Sequence, residues 1–167
     1  FQTDLNAPRG RVIAIDIRSS ARSAWREVIP EQTATLDAAS LAGGVLTLVY
    51  LQDAHHVVRV FTRDGAPIRE IPLPGPGSVG GFGGEQKHHE TFFSFESYTH
   101  PPTQYRLDIA TGVATLFRAP EVDFDPSPRE TRQVFAPSKD GTRIPMFIVH
   151  RKGLNLDGSH FLDLYGY

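Results

Sequence analysis

One glycine-rich segment has the spacing of a nucleotide-binding motif. Gly75-Pro76-Gly77-Ser78-Val79-Gly80 fits G-x-G-x-x-G, in which backbone N–H groups face a pyrophosphate at the start of a helix. Pro76 has no N–H to offer, and the glycines of residues 80–84 do not favour a helix. We therefore expect a connection between β-elements here, and no dinucleotide site.

Ser78 lies in the same segment and is a candidate nucleophile. A nucleophile elbow, G-x-S-x-G, places its serine on a turn between a strand and a helix. Pro76 occupies the position of the first glycine, and no helical pattern follows. A role for Ser78 with a histidine and an aspartate elsewhere in the chain stays open as a minor alternative.

Two histidine clusters raise the possibility of a metal site. His55-His56 and His88-His89-Glu90 are the candidates. Adjacent residues of a strand point to opposite faces, so neither pair chelates a metal easily. Since the chain has no cysteine, thiolate catalysis, disulfides and cysteine-based zinc sites are excluded. We predict no metal and no cofactor.

Composition limits the class of partner. The chain has 167 residues and a net charge of −2, which gives no basic footprint for nucleic acid or an anionic membrane. No apolar stretch approaches the roughly 18 residues of a membrane span. The start at Phe1 is neither a signal peptide nor a methionine, so we expect the natural start to lie elsewhere. A soluble cytoplasmic or periplasmic protein is expected, with the compartment unknown.

Strand patterns dominate the first 120 residues, and they recur. Alternating or apolar runs cover residues 11–17, 24–29, 45–51, 57–62, 67–71, 91–95, 104–108 and 113–117. Residues 33–42 contain helix formers but no apolar stripe. The turns Asp64-Gly65 and Thr111-Gly112 lie 47 residues apart, which is typical of propeller blades with four short strands each. A β-sandwich with accidental spacing is the alternative.

The repeat accounts for two whole blades and the end of a third. A closed propeller needs at least four blades, and repeat proteins do not leave apolar faces bare. We therefore expect a piece of a longer protein, with an apolar face exposed at each end of the arc.

The sequence changes character after Pro120. A polar segment with Pro126 and Pro128 is typical of a linker. Strands are then predicted at residues 131–136, 144–150 and 161–165, with a turn at residues 139–141. These strands could open an α/β-hydrolase sheet, or they could form one more blade.

The run Val134-Phe135-Ala136-Pro137-Ser138-Lys139-Asp140-Gly141-Thr142-Arg143-Ile144-Pro145-Met146-Phe147-Ile148-Val149-His150 resembles the start of the catalytic domain in the prolyl oligopeptidase family. The resemblance continues through Lys152-Gly153, residues 156–160 and Leu164-Tyr165-Gly166-Tyr167, and more loosely upstream at residues 1–3, 50–53 and 77–80. It implies a mainly β fold: the C-terminal blades of a seven-bladed β-propeller, followed by the first strands of an α/β-hydrolase domain. The expected domains are residues 1–125 and 126–167, the second beginning with the linker.

The resemblance also implies an activity. Members of this family are serine peptidases that hydrolyse short peptides on the carboxyl side of proline. Their serine, aspartate and histidine would lie beyond Tyr167, so this chain alone is expected to be inactive. Its partners would be short proline-containing peptides and the missing remainder of the same protein.

Tyr167 is the one candidate catalytic residue that the resemblance gives. It matches the second tyrosine of the family's Tyr-Gly-Tyr-Gly-Gly motif, whose hydroxyl donates to the oxyanion. Asp163 departs from the expected apolar strand, and it must face solvent or mark a local difference. Two alternatives remain: a related oligopeptidase resembling oligopeptidase B, and a non-catalytic propeller that binds partners.

Overall fold

The computed structural model describes residues 1–123 and 125–166 of the chain. In these residues the regular structure is β, apart from one 3-10 turn at Arg22–Ala24, and no α-helix is present. No helix among them has the length and hydropathy that crossing a membrane would require. The chain divides into two compact units, Phe1–Val122 and the residues from Asp123 onward. This division falls three residues before the expected domain boundary, and each unit is described by itself.

The first unit consists of three antiparallel sheets in which each strand pairs with the next along the chain. The first sheet contains β1 (Gln2–Thr3), β2 (Arg11–Ala14) and β3 (Arg26–Ile29). The second contains β4 (Thr35–Ala42), β5 (Val45–Gln52), β6 (His55–Thr62) and β7 (Pro67–Ile71). The third contains β8 (Ser78–Gly81), β9 (Glu90–Ser97), β10 (His100–Asp108) and β11 (Ala114–Arg118). Two four-stranded meanders and a three-stranded one match the predicted pattern of blades.

Three of these strands, β1, β4 and β8, were not expected from the sequence. β4 covers the segment with helix formers, and its pairing with β5 is irregular between Leu36 and Ala38. β8 is short and ends in two glycines. Each is the first strand of its sheet and pairs on one side only. Since alanine and glycine have low strand propensity, pairing with the neighbouring strand determines β4 and β8.

The second sheet is packed on both faces. Successive residues 47–50 of β5 are all buried. Leu48 and Tyr50 belong to one apolar cluster, with Val12, Ile29, Ala34 and Leu36. Val49 belongs to the other cluster, with Val58, Val60, Ile71, Val79, Phe82, Phe93, Phe95 and Leu107. The expected burial of both strand faces is therefore observed.

Aromatic rings fill the second cluster. The Phe93 ring stacks between Phe82, at 4.8 Å between ring centroids, and Tyr105, at 5.3 Å. Phe82 has a φ of +65° and is almost completely buried. A bulky residue in the left-handed region costs about 1–2 kcal/mol, which the burial of its ring offsets.

The outer face of the third sheet is less apolar than expected. Along β9, Thr91, Phe93 and Phe95 point into the core, and the alternate residues Glu90, Phe92, Ser94 and Glu96 do not. Phe92 contacts the Phe117 ring edge-on at 4.9 Å on this outer face. Arg106 lies 3.8 Å from Glu90 beside them. One aromatic pair within a mostly polar surface therefore replaces the predicted apolar face.

Glycine turns recur where one sheet meets the next. Gly65, between β6 and β7, has a φ of +93°, and a Cβ there would overlap the carbonyl of Val28 and lie 3.5 Å from Cδ1 of Ile29. Gly112, between β10 and β11, has a φ of +75°, and a Cβ there would lie 2.6 Å from Cδ of Arg69 and 3.4 Å from Cδ1 of Ile71. Ile29 and Ile71 each end the last strand of the preceding sheet. The 47-residue repeat thus corresponds to a repeated contact between sheets.

The second unit contains one hairpin, β12 (Arg129–Pro137) and β13 (Arg143–Arg151). Its turn residue Gly141 also has a positive φ, but a Cβ there would meet nothing within 4 Å. The prediction of a strand at residues 161–165 is wrong, because these residues have no regular structure and are exposed. A strand requires a neighbour for its backbone groups, and none of the described residues pairs with this segment as a strand.

We predict that Gly65→Ala destabilises the chain more than Gly44→Ala. Both glycines have positive φ, so each alanine introduces about 1 kcal/mol of backbone strain. Around Gly44 nothing lies within 4 Å, whereas the new Cβ at Gly65 overlaps a backbone carbonyl. Overpacking should add at least about 1–3 kcal/mol. Urea unfolding of both variants measures the difference, and equal midpoints would contradict the proposed role of the turn.

Candidate functional site

The glycine-rich segment at residues 75–80 connects two sheets. It leaves β7 and enters β8, where a dinucleotide motif would require a helix. Gly77 packs against β9, because a Cβ there would overlap the carbonyl of Glu96 and lie 2.7 Å from the Phe95 ring. Packing between backbone and ring therefore explains this glycine without a ligand.

His56 lies beside Ser78, but its hydrogen bonds are directed elsewhere. Its Nδ1 accepts the N–H of Val79 at 2.9 Å, and its Nε2 lies 3.5 Å from Oδ2 of Asp37. A general base needs a free lone pair that faces the nucleophile. The Nδ1 lone pair is occupied and Nε2 faces a carboxylate, so His56 cannot activate Ser78 in this arrangement.

The remaining histidines of the two clusters have separate surroundings. Nδ1 of His88 accepts the N–H of Glu85 at 3.0 Å, which closes a local turn, and Glu90 faces Arg106. In the described part of the chain, no three His, Cys, Asp or Glu side chains are grouped to hold a metal ion. The expectation of no metal stays a prediction.

A buried tyrosine–arginine contact was not predicted from the sequence. The guanidinium of Arg59 lies 5.2 Å from the centroid of the Tyr50 ring and donates to Gln52 and Glu70. Burial raises the pKa of Tyr50, and the charge of Arg59 acts in the opposite direction. The phenol therefore stays protonated at neutral pH and cannot serve as a base. Strand pairing brings these residues together, and no sequence spacing indicates it.

A cavity of about 520 Å³ lies between the first and second sheets. Its lining is mostly apolar, with Arg26, Arg63 and Asp64 as the charged residues. Arg26 and Asp64 are 3.8 Å apart and both are well exposed, so this ion pair contributes little. The cavity lining contains no serine or histidine, and its one carboxylate, Asp64, is exposed beside Arg26, so the lining holds no pair of nucleophile and base.

In the second unit, one histidine is held at the base of the hairpin. The Nδ1 of His150 lies 2.9 Å from the carbonyl oxygen of Arg151 and 3.6 Å from Oε1 of Glu130 across the strand pair. Asp163 is exposed, which agrees with the solvent-facing alternative and avoids a buried charge. Tyr167, the predicted oxyanion donor, lies outside the described residues.

Comparison with known proteins gives the family. A family model described as "Prolyl oligopeptidase, N-terminal beta-propeller domain" matches residues 1–120, well over half of the chain. The chain belongs to the prolyl oligopeptidase family. Its first 120 residues are part of a propeller domain, so the mainly β propeller expectation is confirmed and the β-sandwich alternative is wrong.

Two prolyl endopeptidases align with all or most of the chain. It is 38% identical over 167 residues to a prolyl endopeptidase of Elizabethkingia miricola, covering 100% of this chain and 24% of that protein. A prolyl endopeptidase of Dictyostelium discoideum is 31% identical, with 91% of this chain and 21% of that protein covered. The chain thus spans about a quarter of the length of these relatives.

Solved structures of family members are similar to this chain in both fold and sequence. A structure from a study of two prolyl endopeptidases matches with a TM-score of 0.82 and 40% identity, covering 92% of this chain and 23% of the other. The apo form of prolyl oligopeptidase B from Galerina marginata gives 0.77 and 30%, covering 94% and 23%. At these identities the likeness extends beyond the fold to the family.

We predict that Ser78 does not react as a catalytic serine. A fluorophosphonate probe, which labels activated serines, should give no adduct at Ser78, because the lone pair at Nδ1 of His56 is already taken. Mass spectrometry of the treated chain checks this, with Ser78→Ala as the matched control. Labelling that disappears in Ser78→Ala would contradict the prediction.

Proposed function

We propose that the chain is part of a serine peptidase that hydrolyses short peptides on the carboxyl side of proline. The observation that best supports this is the alignment with prolyl endopeptidases over the whole chain, 38% identical in one case. The match to the propeller family ends at residue 120, but the alignment with this relative continues through the segment that resembles the start of a catalytic domain. Both parts of the chain therefore favour the same kind of protein.

In this proposal, residues 1–125 are the last blades of the propeller. Residues 126–167 contain the linker and the opening strands of the α/β-hydrolase domain. The first compact unit ends at Val122, close to this boundary. Gly141 of the hairpin turn has open space around it, unlike the turn glycines Gly65 and Gly112. The hairpin therefore lacks the contact that marks a further blade.

The exposed apolar residues of the hairpin support a place in a larger sheet. Phe135 and Val149 are partly exposed on one face, and Ile144 and Met146 on the other. A two-stranded hairpin is marginally stable on its own, and the sheet of an α/β protein is covered on both faces. Coverage of both faces by helices would bury these four side chains.

The substrate class can be tested with the full-length protein that contains this chain. Succinyl-Gly-Pro-aminomethylcoumarin should be hydrolysed, whereas the matched substrate with alanine in place of proline should be hydrolysed at least about tenfold more slowly in kcat/KM. A factor of ten corresponds to about 1.4 kcal/mol of discrimination in the transition state. The 167-residue chain alone should hydrolyse neither substrate. Equal rates on the two substrates would favour a related oligopeptidase, and no hydrolysis would favour a binding module.

Tyr167 is proposed to donate its hydroxyl to the oxyanion in the intact peptidase. A phenol O–H is a strong single donor, and loss of one such donor lowers kcat by about 100- to 1000-fold. We expect this fall for Tyr167→Phe in the full-length protein, with KM nearly unchanged, because the interaction forms in the transition state. Steady-state kinetics measures it.

Tyr165→Phe provides the matched control, since it removes a phenol two residues away in the same motif. Its kcat should stay within about threefold of the parent value. A Tyr167→Phe variant as active as Tyr165→Phe would exclude the proposed oxyanion role while leaving the substrate class intact.

A further inference from the structure

The first strand of each four-stranded sheet has an open edge. β4 pairs only with β5, and β8 pairs only with β9. An unpaired edge presents backbone N–H and C=O groups that can recruit another extended chain. The groups that bind these two edges therefore determine whether another extended chain could pair there.

At β8, a single residue of the second sheet binds two backbone groups of the edge. The N–H of His56 donates to the carbonyl of Gly77 at 2.9 Å, and Nδ1 of His56 accepts the N–H of Val79 at 2.9 Å. A carbonyl and an N–H two residues apart on one edge are the groups that a neighbouring strand would engage. His56 thus occupies the place of a paired strand residue, with its ring nitrogen acting in place of a carbonyl oxygen.

The tautomer and the orientation of the His56 imidazole suit this contact. Because Nδ1 accepts a hydrogen bond, the proton of the neutral imidazole lies on Nε2. Nε2 faces Oδ2 of Asp37 at 3.5 Å, and the imidazole is mostly buried. A carboxylate opposite one nitrogen orients the ring and leaves the other nitrogen as the acceptor.

A comparable arrangement occurs at the edge of β4. The N–H of Leu36 donates to the carbonyl of Arg9 at 2.7 Å. The side-chain amide of Gln2 donates to the carbonyls of Leu36, at 3.1 Å, and Asp37, at 3.3 Å. Again two groups bind the open edge: a backbone carbonyl, here from the connection between β1 and β2, and a polar side chain of the preceding sheet.

We propose that this arrangement is a repeated device of the propeller: a polar side chain of each sheet closes the open strand edge of the sheet that follows. His56 is the positioning residue at the junction between the second and third sheets. It fixes β8 through its Nδ1 acceptor and keeps that edge from pairing with another extended chain. The proposal does not depend on the peptidase activity.

Two substitutions separate the nitrogen atoms of the ring. In His56→Asn, the amide oxygen can take the place of Nδ1 and accept the Val79 N–H. In His56→Gln, the amide reaches the place of Nε2 near Asp37, and the acceptor for Val79 is lost. Hydrogen exchange of the full-length protein, read at single amides by mass spectrometry, measures the difference.

We expect exchange at the Val79 amide to rise about tenfold in His56→Gln, as the loss of one hydrogen bond implies. In His56→Asn it should stay within about threefold of the parent value. The amide of Leu48, in the core of the second sheet, is the internal reference. The proposal is supported if the exchange rate rises more at Val79 than at Leu48 in His56→Gln, and if this difference is absent in His56→Asn.

Equal exchange at Val79 in the two variants would overturn it. If only His56→Gln fails to fold, the need for an acceptor at the Nδ1 position is supported by that contrast. If both variants fail to fold, the proposal is wrong, because the junction then requires the packing of the ring and not its acceptor.

Discussion

The second sheet of the first unit has no solvent-facing side in its centre, and most features of this chain depend on that constraint. Leu48 and Tyr50 of β5 pack against the first sheet, and Val49 packs against the third. An antiparallel sheet with one solvent-exposed face would alternate apolar and polar residues along each strand. β5 instead buries successive residues, so each sheet provides part of its neighbour's core.

Close packing between sheets limits the backbone where they meet. At Gly65 a side chain would overlap the carbonyl of Val28, and at Gly112 it would contact Arg69 and Ile71. The open edges of β4 and β8 are bound by polar groups of the preceding sheet at the same junctions. Apolar contacts on the sheet faces and directional hydrogen bonds at the strand edges therefore act together to set the spacing of the repeat.

Sequence patterns predicted the strands whose side chains alternate or are uniformly apolar. β5, β6 and β9 are examples, and the turns at Asp64-Gly65 and Thr111-Gly112 predicted the hairpins β6–β7 and β10–β11. β4 and β8 could not be predicted, because their alanines and glycines carry no strand signal and the neighbouring strand determines their conformation. The segment at residues 161–165 shows the opposite error. It has a strand-like composition, but none of the described residues pairs with it as a strand.

The candidate sites show a similar limit. The local sequence was enough to disfavour a dinucleotide site at Gly75–Gly80. Pro76 has no backbone N–H and no helical pattern follows, and both facts can be read from the sequence directly. The surroundings of His56 could not be predicted, because Asp37, Gly77 and Val79 meet it only through strand pairing and sheet packing. The role proposed for Tyr167 comes from family resemblance alone, since neither its spacing nor its chemistry distinguishes it from Tyr165.

The two faces of the third sheet differ, and this difference has an energetic consequence. Its inner face contributes Phe93, Phe95 and Leu107 to the core, whereas its outer face carries charged residues around the pair Phe92 and Phe117. Stabilisation by burial scales with the apolar area removed from water. A neighbouring element on the outer face would bury less apolar area than the junction around Val49. It would also have to desolvate Glu90 and Arg106, whose exposed pairing contributes little. A junction on that face would therefore separate at a lower cost in free energy than the one inside the first unit.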